Sequence, residues 1–178
     1  MAISGCDVEA VQNYVEVASA LSNPGVNDGK KLYLAAYNSP KDIGVSGSEE
    51  LVNLLIGYID KWVDGVVARK LRVSTAVHSP FIDVCEETYR TELATILGVH
   101  TGPCMPTIPT MSTVTADFKS DDYNIDYLWG NLRQPVLFSD AVLKIIGQFG
   151  ETTTFLEISP HPVLSQVFIF LPRLSSCH

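Results

Sequence analysis

The first 77 residues alternate between short apolar runs and amphipathic stretches in an order that few folds can accommodate. Apolar periods of two and 3.6 residues predict six elements: strand 1–4, helix 8–21, strand 31–37, strand 43–46, helix 49–62 and strand 70–77. Asp7 and Ser48 are typical N-cap residues for the two helices. The β-α-β-β-α-β order is that of the split-βαβ arrangement, so we predict a ferredoxin-like unit over residues 1–77.

His78 lies where the last of these strands gives way to a helix. Apolar and polar residues alternate over 71–77, Ser79 suits an N-cap, and Pro80 suits the first helical position. Side chains at such a corner tend to point out of the scaffold, which makes His78 a candidate for chemistry. A histidine at a strand end is more often structural, so its position alone leaves both interpretations open.

Beyond His78 the pattern suits part of an α/β layer. The predicted elements are a helix over 80–97, a loop over 99–109, a strand over 111–115, polar turns over 117–126, a helix capped by Ser139 and a strand over 153–158. The helix over 80–97 is expected to bury apolar side chains that include Val84 and Ile96, and to turn its acidic side chains to solvent: Asp83, Glu86, Glu87 and Glu92. His161 suits a turn at 159–162, and an atypical apolar tail follows over 167–178.

The charge of the chain excludes two classes of partner. Twelve basic and 20 acidic residues give a net charge of −8, and no run of lysine or arginine occurs. Nucleic acids and anionic membranes are bound by clustered cations, so neither is expected as a partner. No apolar run of about 18 residues and no signal-peptide pattern occurs, so we expect a cytoplasmic location. The four cysteines lack metal-ligand spacing, so we expect free thiols and no metal.

Five stretches of the chain occur in an order typical of one enzyme family. They are residues 34–40 (LAAYNSP) with 45–47 (VSG), 71–80 (LRVSTAVHSP), 112–115 (STVT), 129–136 (WGNLRQPV) and 155–164 (FLEISPHPVL). Together they resemble the second half of the malonyl-CoA:acyl-carrier-protein transacylase family, and especially the acyltransferase domains of fungal multidomain polyketide synthases. The resemblance implies an α/β-hydrolase-like large subdomain, here residues 78–166, that carries the ferredoxin-like small subdomain, here residues 1–77.

The resemblance also implies a ping-pong acyl transfer. A serine in a G-x-S-x-G turn takes a malonyl-type acyl group from coenzyme A and passes it to the phosphopantetheine thiol of an acyl carrier protein. His78, which begins the His-Ser-Pro motif, is implied to be the general base, and the backbone carbonyl of Gln134 is implied to orient its ring. Val77 and Asn38 are implied to contact substrate, although Asn38 also suits a turn. No bound cofactor is implied; the partners are acyl-CoA, the carrier protein and other domains of a multidomain synthase.

The sequence departs from the family pattern because it contains no G-x-S-x-G; Gly44-Val45-Ser46-Gly47 is not one. We therefore expect a fragment of an acyltransferase domain that is inactive alone. The alternative is a catalytically dead remnant that acts only as a folded docking or interaction module. Loss of the other half predicts exposed apolar surface on the helix over 80–97 and the strand over 153–158.

The residues that precede the histidine bear on the acyl unit. In related domains the four residues that end at it tend to be His-Ala-Phe-His for malonyl and Tyr-Ala-Ser-His for methylmalonyl. This chain has Thr75-Ala76-Val77-His78, which matches neither pattern. Malonyl is favoured and methylmalonyl stays open. Arg133 either binds a phosphate of the carrier or substrate or is a solvated side chain.

Overall fold

A computed structural model describes residues 1–21, 31–98, 103–150, 153–160 and 164. The elements are β1 (Ala2–Ser4), α1 (Val8–Leu21), β2 (Leu32–Ser39), β3 (Asp42–Gly47), α2 (Glu49–Trp62), β4 (Val67–Arg69), a 3₁₀ helix (Pro80–Cys85), α3 (Glu86–Leu97), β5 (Thr110–Ser112), β6 (Asp117–Lys119), α4 (Ile125–Arg133) and α5 (Phe138–Phe149). The tail over 167–178, and His161 with most of its turn, lie outside the described residues.

The four strands among the first six elements form one antiparallel sheet in the strand order β2-β3-β1-β4. Ile3 in the short central strand β1 pairs with Ile43 in β3 and with Ala68 in β4. Side chains of α1 and α2 complete the core against this sheet, among them Val11, Leu55 and other fully or nearly buried residues. Burial of one such aliphatic side chain contributes about 1.5–3 kcal/mol to stability. The element order is the ferredoxin-like order predicted from the sequence, with β4 earlier than predicted.

The β2–β3 hairpin is closely packed at its open end. A Cβ on Gly47 would lie 2.3 Å from the carbonyl oxygen of Lys31, so no side chain fits there. The same carbonyl accepts a hydrogen bond from the Ser48 amide at 3.1 Å. This contact fixes the start of α2 against the residue that precedes β2. Ser48 is the N-cap residue of α2 as predicted, although its hydroxyl makes no capping hydrogen bond.

The prediction of a strand over 70–77 is wrong. The strand is β4, which ends at Arg69, and the following residues leave the sheet. Leu71 and Val73 are 48% and 66% exposed. The ladder between β1 and β4 contains three residue pairs, so the alternating stretch has no extended partner to continue it. His78 is therefore reached by a loop.

The helix predicted over 80–97 is divided in two. Pro80–Cys85 is a 3₁₀ helix and Glu86–Leu97 is α-helical. The Ser79 hydroxyl caps the first piece by accepting a hydrogen bond from the Phe81 amide, as predicted. Val84 is 91% exposed and Ile96 is 61% exposed, so the expectation that they are buried is wrong. The change from three to 3.6 residues per turn rotates Val84 away from the stripe that a single helix would give it.

A β-hairpin replaces the strand predicted over 111–115 and the turns predicted next to it. β5 ends at Ser112, residues 113–116 form the turn, and β6 follows at Asp117–Lys119. The Ser112 hydroxyl accepts a hydrogen bond from the Val114 amide at 3.1 Å. This side-chain bond favours a turn over continuation of the strand, despite the β-branched residues that follow.

Two further predictions near the end of the chain are wrong. Leu137, and not Ser139, occupies the N-cap position of α5, and Ser139 is buried in the first turn of the helix. Residues 153–158 are irregular and not a strand, with Leu156 84% exposed and Ile158 92% exposed. No strand in the described part of the chain pairs with them. No helix among the described residues is long and apolar enough to span a membrane.

Candidate functional site

His78 adopts an unusual backbone conformation. Its φ angle is 56°, in the left-handed region, which costs about 1–2 kcal/mol for a residue with a Cβ atom. The His78 amide donates a hydrogen bond to the carbonyl oxygen of Leu132 at 3.0 Å. This bond ties the turn before the 3₁₀ helix to the last turn of α4.

The His78 ring contacts the backbone that follows α4. Its Nδ1 lies 3.0 Å from the carbonyl oxygen of Gln134. A carbonyl oxygen can only accept a hydrogen bond, so this contact requires the proton on Nδ1. Nε2 is then the basic nitrogen. The side chain is half-buried, so the structure brings together the two residues predicted from the sequence and leaves the ring partly accessible.

The Gln134 carbonyl is held by the way α4 ends. The Gln134 amide donates to the carbonyl oxygen of Gly130 at 2.8 Å and closes the helix. Pro135 follows, and a proline disfavours the helical conformation at the residue before it. Gln134 is accordingly extended, with φ −80° and ψ 155°. Its carbonyl leaves the helix direction and is free to accept from the His78 ring.

The next two residues are fastened to two other elements. The Val136 amide donates to the carbonyl oxygen of Ala35 at 2.9 Å, and the Tyr37 amide donates to that of Val136 at 2.8 Å, which makes a short parallel bridge to β2. The Leu137 amide donates to the carbonyl oxygen of Thr113 in the β5–β6 turn at 2.7 Å. The segment that follows Gln134 is thus hydrogen-bonded both to β2 and to the β5–β6 hairpin.

Ser79 fixes the chain on the other side of His78. Its side chain is 1% exposed, and its hydroxyl donates to the carbonyl oxygen of Ala76 at 2.6 Å. The same oxygen accepts from the Phe81 amide. The edge of the Phe81 ring packs against Tyr33 in β2, with ring centroids 5.9 Å apart. The backbone on both sides of the imidazole is therefore fixed by buried contacts.

The two residues expected to contact substrate lie in different surroundings. Val77 is half-buried directly before His78. Asn38 is near the end of β2, where its side-chain amide donates to Asp42 at 3.4 Å across the hairpin. Asn38 lies two residues beyond Ala36, which bridges to Val136. Its observed contact is that of a hairpin residue.

A cleft of about 430 Å³ lies between the end of β3, the start of α2 and the loop before His78. Its lining includes hydroxyl groups of Ser46, Ser74 and Thr75 and ends at Ala76, two residues before the histidine. The ion pair of Glu49 and Lys70 is also part of the lining. This cleft adjoins the candidate site along the chain without containing the imidazole.

The described residues contain no group of three or more His, Cys, Asp or Glu side chains that could hold a metal ion. Cys6, Cys85 and Cys104 are free thiols. Asp83 is exposed, as expected, but the sequence interpretation missed that it also pairs with Arg133, the residue before Gln134. The two residues are 50 positions apart, and nothing in the sequence pattern pointed to the pair.

Comparison with known proteins gives one consistent result. The family model described as "Acyl transferase domain" matches residues 4–170. A highly reducing polyketide synthase of Strobilurus tenacellus is 27% identical over 165 residues, which are 93% of this chain and 6% of that protein.

Two solved structures match the fold over most of the chain. The acyltransferase domain from module 8 of the salinomycin polyketide synthase is 30% identical with a TM-score of 0.70, and the match covers 93% of this chain and 35% of that one. Malonyl CoA-acyl carrier protein transacylase from Clostridium perfringens is 26% identical with a TM-score of 0.69, over 96% of this chain and 49% of that one. The chain thus spans about half or less of these structures, and a small part of the synthase. Because the family model matches residues 4–170, which include both His78 and Gln134, the chain belongs to the acyl transferase domain family.

Proposed function

We propose that this chain supplies the general-base side of an acyltransferase active site. The observation that carries the proposal is the 3.0 Å contact between His78 Nδ1 and the Gln134 carbonyl oxygen, which leaves Nε2 as the base. The nucleophile in this proposal is a serine of a G-x-S-x-G segment, which this sequence does not contain. Residues 1–77 act as the small subdomain and residues 78–166 as part of the large one.

The proposed reaction has two halves. His78 Nε2 accepts the serine proton while the serine oxygen attacks the thioester carbonyl of an acyl-CoA; the carbon–sulfur bond then breaks, and the imidazolium returns the proton to the CoA thiolate. In the second half the phosphopantetheine thiol of an acyl carrier protein gives its proton to His78 and its sulfur attacks the acyl-serine ester. The carbon–oxygen bond then breaks, and the imidazolium returns the proton to the serine oxygen. No resident cofactor takes part, because CoA and phosphopantetheine enter as substrate groups.

The acyl unit is proposed to be of the malonyl type. The name of the Clostridium perfringens transacylase, which specifies malonyl CoA, supports this choice. Val77, next to the base, is proposed to contact the acyl group, and Asn38 to lie at the edge of the same pocket. The carrier protein and the other domains of a multidomain synthase are the proposed partners.

The test is a chimera. The matched segment of the salinomycin module 8 acyltransferase domain is replaced by this chain, and acyl-enzyme formation and transfer to a carrier protein are followed by intact mass spectrometry with malonyl-CoA and methylmalonyl-CoA. We expect malonyl transfer, and a loss of about 10²- to 10⁴-fold in rate for His78→Asn. Lys61→Ala, on the outer surface of α2, is the matched control and should transfer normally.

The unfused 178-residue chain should form no acyl adduct. Equal rates for His78→Asn and the unsubstituted chimera would refute the role of His78, and a clear methylmalonyl preference would refute the choice of acyl unit. The lack of G-x-S-x-G favours the second candidate, a folded remnant that docks a carrier or another chain without chemistry. That candidate would gain support if the chimera folded and bound the carrier but was never acylated.

A further inference from the structure

Arg133 and Asp83 form a two-point ion pair next to the imidazole. Arg133 Nε bonds to one carboxylate oxygen of Asp83, and Nη2 donates to the other at 3.2 Å. The Arg133 side chain is 24% exposed and that of Asp83 is 47% exposed. An arginine fork matched to a carboxylate in this way fixes the orientation of both groups as well as their separation.

The pair joins the same two segments that His78 joins. Asp83 lies in the 3₁₀ helix that begins two residues after His78, and Arg133 lies between Leu132 and Gln134. His78 bonds to the carbonyl oxygens of Leu132 and Gln134, each at 3.0 Å. Three connections therefore run in parallel between the turn at 78–83 and the end of α4.

This arrangement bears on both roles considered for Arg133, because its guanidinium is paired rather than simply solvated. The Nε and Nη2 edge of its guanidinium is occupied by Asp83, so that edge is not available to a phosphate. Exposed ion pairs contribute little to stability, and many contribute nothing measurable. We therefore expect the Asp83–Arg133 pair to affect the direction of the Gln134 carbonyl more than the free energy of unfolding.

We infer that the Asp83–Arg133 pair is a positioning device that holds the Gln134 carbonyl against His78 Nδ1 and so selects the Nδ1–H tautomer of the imidazole. Free imidazole side chains favour the other tautomer, with the proton on Nε2, which would leave no base to face a nucleophile. The catalytic value of the pair rests on the proposed function of His78, whereas its effect on the tautomer does not.

The experiment is ¹⁵N NMR of the His78 ring in the 178-residue chain at a pH where the imidazole is neutral. The unsubstituted chain should show mainly the Nδ1–H form. Asp83→Asn, and Arg133→Lys, which keeps the charge and loses the fork, should make the Nε2–H form predominant. Asp117→Asn removes the single-point pair with Lys144, 2.7 Å apart, and is the matched control that should leave the tautomer unchanged.

A purely structural pair would lower the melting temperature without moving the tautomer, and that result would overturn the inference. If Asp83→Asn did not fold, Asp83→Glu would replace it, because a longer stem keeps the charge while displacing the fork. In the chimera, Asp83→Asn should lower the acylation rate about 10- to 100-fold with little change in KM. If the unsubstituted chimera were inactive while Asp83→Asn still shifted the tautomer, only the proposed function of His78 would be refuted. If Asp83→Asn slowed acylation in the chimera but left the tautomer unchanged, only the positioning role would be refuted.

Discussion

A buried cation anchors the second hairpin at the scale of single residues. The Lys119 side chain is 2% exposed, and its Nζ lies 2.7 Å from Asp121 Oδ1 and 4.0 Å from the centroid of the Tyr127 ring. The hydrogen bond from Lys119 holds the pKa of the Asp121 carboxyl below its ordinary value of 3.8. Since the folded state binds that proton less readily than the unfolded chain, the carboxylate stabilises the fold above the ordinary pKa.

Asp121→Asn should therefore lower the melting temperature at neutral pH, because a buried ammonium loses its charged partner. The difference from the unsubstituted chain should be constant above the ordinary pKa and should shrink as the pH falls from 3.8 towards the depressed pKa. Thermal unfolding at a series of pH values from 7 to 3 measures this. Asp64→Asn, in the exposed turn after α2, is the control. A difference in melting temperature that did not begin to shrink below pH 3.8 would contradict the argument.

Among the elements, α1 has a clearly defined start. The Asp7 carboxylate accepts a hydrogen bond from the Ala10 amide at 2.9 Å, as its sequence position predicts. This bond satisfies one of the amides that have no partner within the helix, and the negative charge lies at the positive end of the helix dipole. α1 in turn contributes Val11 and Ala18 to the core.

Asp7→Ala should lower the free energy of unfolding by about 1 kcal/mol, the usual loss for an N-cap. Asp7→Asn keeps the acceptor and should cost much less, which separates capping from charge. Urea unfolding followed by circular dichroism gives both values. Equal losses for the two variants would show that the charge, and not the hydrogen bond, is responsible.

Elements whose packing is local were predictable, and elements that need a distant partner were not. The caps at Asp7 and Ser79 follow from adjacent residues, so the sequence contains all the information that places them. The strands predicted over 70–77 and 153–158 have strand-like sequences, but no paired edge continues them. The contact of His78 with Gln134 crosses 56 positions and was predictable only through the family resemblance.

For the whole molecule, apolar side chains remain on the surface of the second half. Val84, Ile96, Leu156 and Ile158 are each more than 60% exposed. The helical pattern alone predicted Val84 and Ile96 to be buried, whereas exposed apolar surface on these two stretches was predicted for a domain that has lost its other half. The first half has a buried core around Ile3, Ile43 and Leu55, although Leu21, Trp62 and Val73 on its surface are also more than 60% exposed. Exposed aliphatic groups of this size favour association between molecules.

The 178-residue chain should self-associate at micromolar to millimolar concentration. The double variant Val84→Glu with Ile96→Lys should shift the equilibrium towards the monomer without changing the melting temperature of the ferredoxin-like sheet. Multi-angle light scattering over a dilution series measures the effect. Asn53→Glu with Gln12→Lys, at exposed polar positions of α2 and α1, is the control for added charge. A strictly monomeric unsubstituted chain would contradict the prediction.

The left-handed backbone of His78 has a consequence for how this chain can evolve or be engineered. Asparagine and glycine adopt a φ near 56° more readily than most residues, while a β-branched residue resists it. Selection for stability alone would thus favour asparagine or glycine at position 78, whereas under the proposed function selection for proton transfer would retain the histidine. Variants of this chain that are selected for stability should therefore be checked first for whether His78 is still present.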